Sequence, residues 1–146
     1  MLSCHDVADF FLRQGDPEAG DLMSNLKLQK LVYYAQGLHL ALHGKPLFSE
    51  PIEAWVHGPV SPTLYRRFKA FSSGAITEEP AVDLSRFSPV EIELLAEVYQ
   101  VYGQFSAFKL REMTHGETPW MDTPKGEVIG HDVMAEFFKT RLVQAA

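Results

Sequence analysis

The feature that most constrains the fold is a set of serines, Ser3, Ser24, Ser61, Ser88 and Ser106, each standing directly before apolar residues at helical spacing. A serine there can accept a hydrogen bond from one of the amides that a first helical turn leaves unpaired, so each marks a helix start. Ser3 is followed by Asp6 in the manner of a capping box, and Val7, Phe10 and Phe11 then share one face before Gly15. Ser24 precedes an apolar stripe of Leu28, Leu31, Val32, Ala35, Leu38 and Leu42, which Gly44 and Pro46 end. Ser61-Pro62 and Ser88-Pro89 place proline at the first helical position. The third helix is expected to bury Leu64, Tyr65, Phe68 and Phe71 and to close at Ser73-Gly74. The fourth, with Glu91 as capping-box partner, is expected to bury Ile92, Leu95, Val98, Tyr99 and Tyr102 before Gly103. Ser106 opens a fifth over Phe108, Leu110 and Met113, stopping at His115-Gly116. A last helix spans about His131 to Leu142, with Val133, Phe137 and Phe138 inward and Ile129 stapled on Met134.

Between the second and third helices the period changes. Ile52, Ala54 and Val56 alternate with Glu53, Trp55 and His57, a strand pattern, and Gly58-Pro59 is expected to turn the chain. The stretches 16–24 and 75–87 read as loop, with a second short strand at 75–77, and Pro119-Trp120 also falls in a loop. The fold class that follows is mainly α: a compact single domain over residues 1–146, of about six helices with one short β-hairpin or strand pair.

A chain of 146 residues, 46% of them apolar, has the material for one core. Its 13 basic and 19 acidic side chains leave a net charge of -6, which disfavours a main role in coating nucleic acid. Cys4 is the only cysteine, so no intrachain disulfide forms. The longest apolar run, Leu31 to Ala35, is far short of the ~20 residues that span a bilayer. Met1 to Gly15 carries Asp6 and Asp9 and does not read as a signal peptide. A cytoplasmic protein without membrane partner is the expectation.

Several clusters invite a chemical reading. His39 and His43 stand one helical turn apart, a spacing that can offer two imidazoles to a metal and so leaves open a small metal-dependent enzyme. A third ligand would have to come from His57, His115, His131 or Cys4, none at a recognisable spacing, so the favoured reading is a helix edge with no metal and no cofactor. Cys4-His5-Asp6 holds the residue types of a thiol nucleophile, a base and an orienter, but neighbours on a helix do not face one another, and a capped helix start with a buried thiol is favoured. Arg66, Arg67 and Lys69 beside Tyr65 and Phe68 suggest a basic-aromatic patch, with Lys27 and Lys30 adding to it if the second and third helices pack together. The favoured reading is the solvated face of an amphipathic helix whose Tyr65 and Phe68 point to the core. A DNA-binding autoregulator stands as a third functional class. Trp55, His57 and Pro59 with Gly58 form one rigid loop, and His115 and Trp120 with Pro119 a second. Each serves either as a partner-binding surface or as an aromatic anchor closing the core. No catalytic residue emerges.

The stretches Leu26-Lys-Leu-Gln-Lys-Leu-Val-Tyr-Tyr-Ala-Gln-Gly-Leu-His-Leu-Ala, Glu53-Ala-Trp-Val-His-Gly-Pro-Val-Ser-Pro-Thr-Leu-Tyr and Leu110-Arg-Glu-Met-Thr-His-Gly-Glu-Thr-Pro-Trp together resemble the SocA-like antitoxin family, the Panacea domain, which includes phage-associated GepA-like proteins. The likeness covers nearly the whole chain; where the family often has Tyr before Gly-Pro-Val, this chain has His57. The resemblance implies a non-enzymatic antitoxin that binds a cognate toxin, with delivery of that toxin to the ClpXP protease as a narrower form of the same role. Its partner-binding candidates are Trp55, His57, Pro59, Tyr65, Arg66, Arg67, His115 and Trp120. The end Leu142-Val-Gln-Ala145-Ala146 is similar to tails that ClpXP reads, although a frayed helix end accounts for it equally.

Overall fold

A computed structural model describes residues 1–15 and 22–142. The elements run α1 (Cys4–Gln14), α2 (Asn25–His43), β1 (Glu53–Trp55), β2 (Gly58–Val60), α3 (Pro62–Phe68), α4 (Pro89–Tyr102), α5 (Ala107–His115), α6 (Thr118–Met121) and α7 (His131–Lys139). Short 3-10 turns at Lys69–Phe71 and Leu84–Arg86 lead out of α3 and into α4. The mainly α class with a small hairpin is as the sequence predicts. The five serines cap as expected: Ser3 and Ser88 form capping boxes with Asp6 and Glu91, and Ser24, Ser61 and Ser106 accept from the amides of Lys27, Leu64 and Lys109. Gly44 ends α2 in the left-handed region, φ 71°, with its amide returned to the Leu40 carbonyl.

The architecture is a central helix wrapped by the others. α1, α3, α4, α5, α7 and β2 all pack on α2. The single stripe expected for α2 is therefore too narrow: Leu28, Leu31, Val32, Tyr33, Tyr34 and Ala35 are buried, and so are the polar Gln29, Lys30, Gln36 and His39. Leu42, at the emerging end, is half-exposed instead of buried. α7 crosses α2 where Gly37 lies, and a Cβ at Gly37 would overlap the Phe138 ring. That ring is held edge-on by Tyr33, Tyr34 and Phe137.

Other expectations are corrected. The hairpin turns at Val56 and His57, not at Gly58-Pro59, which belong to β2; the register pairs Glu53 with Val60, Ala54 with Pro59 and Trp55 with Gly58. Proline is tolerated there because a strand at the end of a sheet does not need every amide. Stretch 75–77 makes only an isolated bridge, Ser24 with Ala75, and the partner on the other side of β1 is instead the segment 126–129. The Ala54 amide donates to the Glu127 carbonyl (3.0 Å), and the Ile129 amide to the Ile52 carbonyl (2.8 Å). Pro119 and Trp120 lie on α6, and α7 stops at Lys139. Tyr65 and Phe108 are exposed where burial was expected, and Leu94 is buried on α4. The Ala145-Ala146 end lies outside the described residues. Among the described residues, no helix is long and apolar enough to cross a membrane.

The close crossing of α2 and α7 yields a test. Gly37→Ala adds helix propensity but forces the Phe138 ring to move, and overpacking of this kind costs about 1–3 kcal/mol. Urea unfolding should show that loss, with partial recovery on adding Phe138→Leu.

Candidate functional site

The site is built from side chains of α2 reaching outward. Gln29 lies fully inside the protein and spends both ends of its amide on Ser61, accepting from the Ser61 amide at 2.8 Å and donating to its carbonyl at 3.4 Å. One residue on, Lys30 is completely buried, and its Nζ donates to the Pro59 carbonyl at 3.0 Å. Gly58, at φ 114°, passes so close that a Cβ there would lie 2.7 Å from Lys30 Cε and 2.8 Å from Thr114 Oγ1. Only glycine has both the conformation and the size. The hairpin is thus clamped to α2 through main-chain atoms of Gly58, Pro59 and Ser61.

The second loop is fastened to the first. Trp120 Nε1 donates to the Trp55 carbonyl at 2.7 Å, across 65 residues of chain. The His115 ring stacks on the Trp120 indole, centroids 4.1 Å apart and planes 19° from parallel, and Lys125 Nζ lies 3.9 Å from the indole centre. Trp55 meets Tyr65 of α3 edge to face at 5.0 Å. The two loops therefore form one face, on which Trp55, His57, Pro59, Tyr65, His115 and Trp120 come together. Val56 and His57 project at its tip, Val56 66% exposed.

Arg66 and Arg67 do not join this group in the same way. Arg66 is solvent-exposed on α3. Arg67 turns toward α1, pairing with Asp9 (2.6 Å) and with Glu78, and lies over the Phe68 ring. Lys30, expected at the surface, is buried under the hairpin, and Lys27 donates to the Gly103 carbonyl at 2.7 Å. His39 and His43 are adjacent, but His39 Nδ1 is engaged with the Lys45 carbonyl at 2.7 Å. Among the described residues no group of three or more His, Cys, Asp or Glu is placed to hold a metal. Cys4 is enclosed at the start of α1, and burial with the nearby Glu50 carboxylate pushes its thiol up to about 12.

Sequence reasoning missed the ionisable groups inside the site. Burial, reinforced by the Arg111 charge, lowers Lys30 to about 7. Behind the second loop, Glu117 is buried and accepts from the hydroxyls of Tyr33 and Tyr34, each at 2.9 Å. Burial lifts its carboxyl to about 7 against the opposing pull of the two tyrosine hydrogen bonds and of Arg141. His115 is lowered by desolvation and then by the Arg111 charge. The only sequence signal for these was position: a Lys and two Tyr on what becomes the all-round buried helix.

With this geometry in view, comparison with known proteins is decisive. The family model described as "Antitoxin SocA-like, Panacea domain" matches residues 28–121, more than half of the chain. The chain belongs to the SocA-like antitoxin family. The match runs from α2 to the end of α6 and so contains the whole clamped face. Antitoxin SocA of Caulobacter vibrioides (strain NA1000 / CB15N) is 52% identical over 48 residues, covering 33% of this chain and 26% of that protein. The chain thus spans about a quarter of the length of the curated relative it matches. No solved structure matches.

The two buried groups make opposite predictions for stability against pH. Glu117 is raised from an ordinary 4.5, so the folded protein holds the extra proton and loses stability as pH rises from about 4.5 to 7. Lys30 is lowered from an ordinary 10.5, so the unfolded chain holds the extra proton and stability returns as pH rises from about 7 to 10.5. Each limb has a slope of at most about 1.4 kcal/mol per pH unit. Thermal melting across this range should dip near pH 7. Glu117→Gln should flatten the acid limb and Lys30→Met the alkaline one.

Proposed function

We propose that this chain neutralises a cognate toxin by binding it directly through the face formed by the β1–β2 hairpin, α5 and α6. Family membership supports an antitoxin role. The observation that carries the narrower reading is the fastening of two aromatic loops, distant in sequence, into one preorganised face inside the family-matched region. A loop fixed before binding loses little conformational entropy on docking, which is what a neutralising complex needs to be tight. Its exposed tip, Val56 and His57, is apolar and polar side by side, while Trp55 and Trp120 brace it from behind. The same reading places the activity in the cytoplasm, where a toxin made in the same cell would be met. Delivery of the bound toxin to ClpXP extends the proposal: it adds a shortened toxin half-life that depends on the protease, whereas steric inhibition leaves that half-life unchanged.

The test is co-expression with the product of the adjacent gene, reading growth and complex formation. Wild-type chain should rescue growth and co-purify. Val56→Asp with His57→Ala alters only the exposed tip, so its melting temperature should stay within about 2 °C. Its affinity should fall by about thirtyfold or more, the loss of a central contact pair. Full rescue by the folded double variant would contradict the surface assignment.

A further inference from the structure

A second surface lies toward the other end of α2. Between the C-terminal end of α2, α4 and the residues after α7 runs a groove of about 530 Å³. Leu38 and Leu42 of α2 line it on one side and Leu94, Val98 and Val101 of α4 on the other. Leu94 and Val98 are buried and form its floor, whereas Leu42 and Val101 stand 50% and 43% exposed. Val90, Leu94, Glu97 and Val101 recur at spacings of four, three and four, which places them on one stripe of α4, and Val90 at its start is also exposed. Exposed apolar side chains gathered along a concave surface mark a binding site, where scattered ones would not. Leu38 lies roughly 12 Å along the helix axis beyond Lys30, so the groove is separate from the hairpin face.

We propose that this groove docks an amphipathic helix of a partner protein, its apolar stripe seated between α2 and α4 and its lysines or arginines on the flank beside α4. The charge of α4 selects the occupant. That helix carries Glu91, Glu93 and Glu97 and no lysine or arginine. Glu91 is spent on the Ser88 amide, but Glu97 lines the groove and Glu93 is exposed one turn before it. The ion pairs among the described residues belong to Arg67 and Arg86, so Glu93 and Glu97 are left for cations brought by a partner. A second copy of this chain on a two-fold axis would lay one acidic α4 against another, and nucleic acid or anionic lipid would meet the same repulsion. Arg141 also lines the groove, its guanidinium 4.7 Å over the Phe137 ring, and suits an acidic residue on the partner's opposite flank. The stripe from Val90 to Val101 spans roughly 16 Å, about three helical turns, which matches apolar anchors at i, i+4, i+7 and i+11 of the docked helix.

The probe is a fluorescein-labelled helical peptide with leucine at i, i+4, i+7 and i+11 and lysine and alanine elsewhere. Its controls carry glutamate in place of lysine, or the same residues scrambled so that no stripe forms. Anisotropy with the full-length chain at physiological ionic strength should show saturable binding of the lysine peptide and much weaker binding of both controls. Amide shifts in NMR spectra should change along α4 and the C-terminal end of α2 and not at the hairpin. Leu42→Asn with Val101→Asn should lower affinity about tenfold or more, since both side chains are already half in water and the fold does not rest on them. Glu97→Lys should lower it about fivefold, while Glu112→Lys, the same change of charge on exposed α5, leaves it within about twofold. If the double variant fails to melt cooperatively, Glu97→Lys decides. No saturable binding, equal binding of either control peptide, shifts centred on the hairpin, a folded Glu97→Lys chain indistinguishable from wild type, or a dimer in sedimentation that the double variant dissociates would overturn the proposal. Toxin takes no part in the measurement, so its outcome is independent of the toxin-binding reading.

Discussion

Buried polar side chains on α2 organise everything outside it. In a helix enclosed on all sides, an amide or ammonium without a partner would cost several times what a made hydrogen bond contributes. Gln29, Lys30, Tyr33, Tyr34, Gln36 and His39 each meet that requirement by binding a segment of chain far from their own turn: Ser61, Pro59, Glu117, the 47–48 loop and Lys45. Gln36 repeats the device of Gln29, accepting from the Leu47 amide at 2.7 Å and donating to the Phe48 carbonyl at 2.9 Å. Apolar residues at these positions would pack, but they would not select one position for each loop. Because the clamps act on main-chain atoms, they fix backbone geometry while leaving the side chains at the hairpin tip unconstrained.

The cost of this arrangement is concentrated at two ionisable residues. Lys30 has a carbonyl for a partner instead of a carboxylate, and Glu117 has two tyrosine hydroxyls instead of a cation. The two are not paired with each other; each serves a different loop of the same face. The arrangement lowers the protein's own stability near neutral pH.

Much of the fold was legible because helix starts and stops are local. Ser3, Ser24, Ser61, Ser88 and Ser106 cap as read, since the bond they make depends on residues two or three positions away. The errors arise where a distant segment decides. Gly58-Pro59 looks like a turn in isolation, but β1 recruits it as a strand and moves the turn to Val56-His57. Pro119-Trp120 reads as loop until the amides of Met121 and Asp122, donating to the Glu117 and Thr118 carbonyls, close a short helix beneath the hairpin. At the site, the sequence separates two aromatic clusters and gives no sign of their union, which depends on one indole-to-carbonyl bond. Lys30 was the largest reversal. A lysine beside apolar residues normally lies at the water edge, and only the packing of β2 and α5 over that turn of α2 encloses it.

Side chains of α2 hold the hairpin face in one position in the free protein. Amide hydrogen exchange tests it most directly, because the Ser61 and Leu47 amides are held by side chains of α2 and by no regular ladder. Both should exchange as slowly as amides at the centre of α2, through global unfolding, and Gln29→Ala should speed Ser61 and the β1 amide of Ala54 while leaving Leu47 protected. Fast exchange at Ser61 in the unmodified protein, with α2 still protected, would show a hairpin that opens on its own and would contradict a preformed face.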